Sequence, residues 1–125
     1  FPTRRSSDLQ VEEVDTPTPG AGEVLIKVAA AGVNRPDVMQ RLGLYPPPQG
    51  ATDIPGLEIA GEVLARGAGA TRWKDGDKVM ALVVGGGYAE YAVADWGRIS
   101  LVPANNMSWE QAATMPVVIF CFSEP

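Results

Sequence analysis

The stretch Glu23-Val24-Leu25-Ile26-Lys27-Val28-Ala29-Ala30-Ala31-Gly32-Val33-Asn34-Arg35-Pro36-Asp37 decides how the fold is read. Val24, Ile26 and Val28 fall on one face of an extended chain, and Leu25 and Lys27 on the other. That is the two-residue period of a half-buried strand, and it predicts a strand over Glu23–Ala31. The pattern then changes abruptly. Asn34 suits a helix N-cap, and Pro36 fits the first turn, where a missing N–H is no loss. Asp37 can close a capping box in place of the commoner glutamate. A short helix is expected over Pro36–Leu42, ended by Gly43.

Working outward, Leu9–Val14 alternates weakly, as an indifferent strand would, and Thr16–Gly20 is a loop. On the other side, Tyr45–Gly50 reads as an extended polyproline-like loop. Leu57–Ala65 reads as a buried strand broken by Gly67 and Gly69. Asp75-Gly76-Asp77 is a turn leading into a strand over Lys78–Val84. Gly85-Gly86-Gly87 reads as a plain hairpin loop, after which Tyr88–Val93 pairs back. Ile99–Val102 is a further short strand. Ser108-Trp109-Glu110-Gln111 is a capping box opening a helix near Trp109–Thr114, which Pro116 stops. No βαβ alternation and no internal repeat is present. The pattern predicts a mainly β barrel or sandwich with short helices.

Composition narrows the function classes. The chain has 125 residues, enough for one domain, and 46% of them are apolar, enough for a core. Its 14 glycines and 11 prolines suit a chain that turns often. A net charge of -5, with no basic face, argues against a nucleic-acid partner. The one cysteine, Cys121, rules out a disulfide framework, so a reducing compartment and a cytoplasmic location are expected. Val117–Phe122 is apolar but far shorter than the ~20 residues of a membrane span. Residues 1–8 are polar and patternless and are expected to be a non-native or disordered leader.

Several segments together resemble the medium-chain dehydrogenase/reductase superfamily. They are Gly20–Val28, Ala31–Asp37 with Gly43–Pro46, Pro55–Val63, Trp73–Val79, Gly86–Tyr91 and Val102–Pro116, in the family's order and spacing. The branch they are most similar to is the zinc-independent, NADPH-dependent quinone oxidoreductases. The resemblance implies a GroES-like, partly open barrel over residues 9–116, the catalytic domain, with residues 117–125 a divergent, truncated tail. It also implies that the Rossmann domain holding most of the NADPH contacts is absent from this chain. Gly85-Gly86-Gly87 lies between two strands and lacks the spacing of a dinucleotide fingerprint.

Alcohol dehydrogenases of the superfamily hold zinc through a cysteine after the Gly-Val step and a histidine after the Pro-Gly step. Here those positions are Asn34 and Leu57. A catalytic zinc needs about three protein ligands. With no histidine and one cysteine, the sequence predicts no metal. A carbonyl accepting hydride must then be polarised by hydrogen bonds. The resemblance assigns Asn34 and Tyr45, an amide and a phenol, to the nicotinamide and substrate pocket. Asn34 can equally be a simple N-cap, or both at once, and Tyr45 can be an aromatic anchor of the proline loop.

Other residues have plainer readings. Asp37 reads as a helix-start acid rather than a catalytic base. Glu58 interrupts an apolar strand and is expected to face an ion-pair partner, either within this chain or in the missing half of the family protein. Tyr88 and Tyr91 read as packing residues, Pro46-Pro47-Pro48 as a surface loop, and Cys121 as a buried or incidental thiol. The expected parent protein reduces a quinone or enone, spans no membrane and is a homo-oligomer. The alternative is an inactive fragment, or a non-enzymatic binding module made of the barrel alone.

Overall fold

The computed structural model describes residues 11–44, 52–102 and 107–117. In chain order it contains β1 (Glu23–Ala31), α1 (Arg35–Arg41), β2 (Glu58–Arg66), β3 (Lys78–Leu82), β4 (Tyr91–Asp95), β5 (Ile99–Leu101) and α2 (Trp109–Ala113). A single turn of 3-10 helix, Trp96–Arg98, joins β4 to β5. The strands form one open five-stranded sheet in the order β4-β1-β2-β3-β5, and every pairing is antiparallel.

Side-chain alternation builds two apolar layers. Val24 and Ile26 of β1, Ile59 and Val63 of β2, Val79 and Ala81 of β3, and Ala92 and Ala94 of β4 enter one core with Trp73 and Ile99. Their even-numbered neighbours Ala60 and Met80 face the other way and meet Ala112 and Ala113 of α2. Strand β1 changes sides part-way: its pairing with β2 shifts register between Val28 and Ala30. A bulge of this kind flips the side-chain parity. Ala30 accordingly packs on the α2 side and Ala31 on the core side. Gly61 sits opposite Val28, where a Cβ would strike the Lys27 carbonyl, so a larger residue would force β1 and β2 apart.

Most of the expected elements form within a residue or two of their predicted bounds. Two expectations need correction. Tyr88–Val93 does not pair back on β3: the strand starts at Tyr91 and pairs with β1, whereas β3 lies between β2 and β5. Gly85–Gly87 is therefore no hairpin loop but a crossing. Gly86 N–H donates to Ile54 O (2.8 Å), and Tyr88 N–H to Pro55 O (3.0 Å). The weak strand over Leu9–Val14 does not form where it is described: Val11–Val14 has no regular structure, and residues 9 and 10 lie outside the described residues. No described helix is long and apolar enough to cross a membrane.

Candidate functional site

The last bond of the β1–β2 ladder sets the site. Ala31 pairs with Ile59, and Gly32 N–H donates to Glu58 O at 3.0 Å. The chain leaving β1 is thereby held over the first residue of β2, and the start of α1 stands directly above Glu58. Asn34 is the α1 N-cap, as its sequence position predicts, with an extended backbone. The capping-box arrangement is present, with one strong bond: Asn34 N–H donates to Asp37 Oδ2 at 2.9 Å. The Asn34 side chain makes no cap hydrogen bond of its own; Nδ2 donates to Glu58 Oε1 at 2.9 Å.

Two buried carboxyl groups organise the corner. Glu58 is 4% exposed and Asp37 3%. Glu58 Oε2 accepts from Val117 N–H at 3.0 Å, where the chain after α2 enters a helical turn behind Pro116. Within the described residues both Glu58 carboxyl oxygens therefore meet neutral N–H donors. An ion pair joins Arg66 to Asp75 at 3.8 Å, elsewhere on the molecule. The sheet's parity explains this, because Glu58 shares the Ala60 face that α2 covers.

Asp37 does more than start a helix. Besides Asn34 N–H it accepts from Gly56 N–H (3.2 Å) and from the Tyr88 hydroxyl (2.9 Å). One side chain therefore pins α1, the Pro55-Gly56 turn and the triglycine crossing together. Tyr88 is half-buried, and its phenol is raised above its ordinary range, first by that burial, then by the hydrogen bond and charge of Asp37. It acts here as a fixed donor, a role beyond the packing expected of it. No local signal in the sequence shows this, although a half-buried phenol commonly finds a hydrogen-bond partner.

Tyr45, the second expected pocket residue, lies outside the described residues, as do Pro46–Pro48 and Cys121. Beside Asn34 in the chain, Val33 is 75% exposed and Arg35 is exposed; Val38 of α1 and its C-cap Leu42 are exposed as well. A cavity of about 830 Å³ lies elsewhere, between Glu12–Pro17 and β4, and none of Asn34, Asp37, Glu58 or Tyr88 lines it. The donor set does not fit zinc. The chain has no histidine and one cysteine, and the described residues contain no cluster of three ligand-type side chains. For a nicotinamide the fit is partial: one half-exposed amide is present, and among the described residues no helix start is preceded by a glycine-rich strand turn that would hold phosphates.

An open antiparallel sheet with a capped helix following its first strand is the architecture of a GroES-like domain. Residues 20–104 match the alcohol dehydrogenase GroES-like domain, and the chain belongs to that family. A chloroplastic quinone-oxidoreductase homolog of Spinacia oleracea is 37% identical over 114 residues, 87% of this chain and 34% of that protein. The crystal structure of the CurK enoyl reductase superposes with a TM-score of 0.76 at 31% identity, over 88% of this chain and 35% of that one. Escherichia coli quinone oxidoreductase, crystallised with NADPH, gives 0.73 at 31% identity, over 83% and 32%. The chain thus spans about a third of the length of these relatives.

Proposed function

We propose that this chain forms the substrate-facing part of an oxidoreductase that reduces a quinone or a conjugated carbonyl with NADPH and without a metal. The observation that carries this reading is the pairing of Asn34 with Glu58. Where the zinc enzymes of the superfamily place a metal-binding cysteine, this chain places an amide held by a buried carboxyl. Relatives that reduce quinones or enoyl groups share one chemical feature, an oxygen conjugated to the bond that accepts hydride. NADPH, when bound, would supply that hydride. The chain's own residues have the other tasks. Val33 and the exposed face of α1 exclude water, and Asn34 and Tyr45 donate hydrogen bonds to the oxygen as it gains charge. The parent is proposed to be a cytoplasmic homo-oligomer, with the nucleotide phosphates bound outside this chain.

The test uses the longer polypeptide that carries this domain, treated with chelator. NADPH-dependent reduction of a quinone or an enone should survive chelation. Activity that appears only when zinc is added, or is confined to alcohol oxidation, would contradict the reading.

A further inference from the structure

We propose that Glu58 is a positioning residue that decides which polar hydrogen Asn34 shows to a ligand. The oxidoreductase reading enters only in saying what that ligand is. A carboxamide can sit in either of two flips, which exchange its oxygen and its nitrogen. Here the partner decides. Glu58 Oε2 accepts from Val117 N–H at 3.0 Å, and Oε1 lies 2.9 Å from Asn34 Nδ2. With both carboxyl oxygens accepting, an amide oxygen turned towards Glu58 would meet only another acceptor. Nitrogen must face Glu58. The amide oxygen then turns to the Asp37 N–H side of the capping box. One Nδ2 hydrogen remains, and no described residue accepts it. On its nitrogen side Asn34 therefore offers a ligand one hydrogen, suited to an acceptor oxygen such as a quinone or enone presents.

Glu58 is itself held for this task. It is 4% exposed, and a Cβ on Gly32 would overlap its carboxyl group, so Gly32 keeps its seat open. Its second bond, to Val117, joins the orientation of Asn34 to the chain leaving α2. A group that touches the ligand is thereby set by a residue that does not.

Nitrogen-15 spectra of this chain, without ligand, test the proposal through the Asn34 side-chain hydrogens. In the unmodified chain, one of the two should exchange with solvent roughly tenfold more slowly than in a free asparagine peptide. Glu58→Leu and Gly32→Ala, shown to be folded by their backbone spectra, should both abolish that protection. Glu58→Gln keeps one acceptor and should restore part of it. Free-peptide exchange in the unmodified chain, or protection that persists in Glu58→Leu, would overturn the proposal. The first of these results needs no variant to fold. Neither measurement involves substrate, so its failure is distinct from failure of the NADPH assay.

Discussion

Asp37 and Tyr88 stand 51 positions apart in the sequence, yet their side chains share a 2.9 Å hydrogen bond that ties the helix start to the triglycine crossing. Tyr88→Phe should cost about 1–2 kcal/mol at neutral pH, since it removes one of the three hydrogen bonds donated to the buried Asp37 carboxyl. The cost should also depend on pH in a definite direction. Tyr88 titrates above its ordinary range in the folded chain, so the folded state holds the phenol proton more tightly than the unfolded chain does. The stabilisation is complete below about pH 10 and is lost as pH rises beyond it. Urea unfolding of both proteins should show the Phe variant losing less stability above pH 10 than the parent; parallel curves would refute the shared proton. At this scale the sequence was partly legible. Asn34 and Asp37 announce a cap because capping chemistry is local. The partners Glu58, Gly56 and Tyr88 come from β2 and the crossing, and only the tertiary fold brings them there.

Strand β1 was legible from its own alternation, because a two-residue period needs no partner to be seen, whereas the equally short-range alternation of Val11–Val14 formed no strand. Partner choice was not. Three glycines between two apolar runs read as a hairpin, whereas Gly85 to Gly87 serve close backbone approach. Gly56 has φ +110, and a Cβ on it would lie 2.6 Å from both Gly87 Cα and Tyr88 N. Gly56→Ala combines positive φ with a backbone collision and should cost more than about 3 kcal/mol, seen as a lowered urea midpoint. Gly43, with φ +78 and nothing within 4 Å of an added Cβ, is the control. Its alanine variant bears only the left-handed backbone cost, about 1–2 kcal/mol. Equal losses at the two glycines would show that the crossing is not packed as described.

At the scale of the whole molecule, the described residues offer an amide held by a buried carboxyl and no glycine-rich strand-to-helix turn that would cradle phosphates. This chain alone should therefore bind NADPH weakly. Calorimetry should find no low-micromolar dissociation constant, which would correspond to about -8 kcal/mol. Tight binding would mean that the phosphate contacts lie within these residues.

The central claim is that donated hydrogen bonds, from Asn34 and Tyr45, take the place of a metal at the reacting oxygen. Steady-state kinetics of the longer polypeptide, with Tyr45→Phe and Asn34→Ala compared against the parent, test it most directly. Charge arrives on the oxygen with the hydride, so a donor there stabilises the transition state more than the ground state. Two donors sharing the load should each be worth ~1–2.3 kcal/mol. Tyr45→Phe should lower kcat/KM roughly 5- to 50-fold with unchanged melting. Asn34→Ala should lower both turnover and melting, because it also removes a hydrogen-bond partner of the buried Glu58. Full turnover in both variants, in protein that remains folded, would contradict the account.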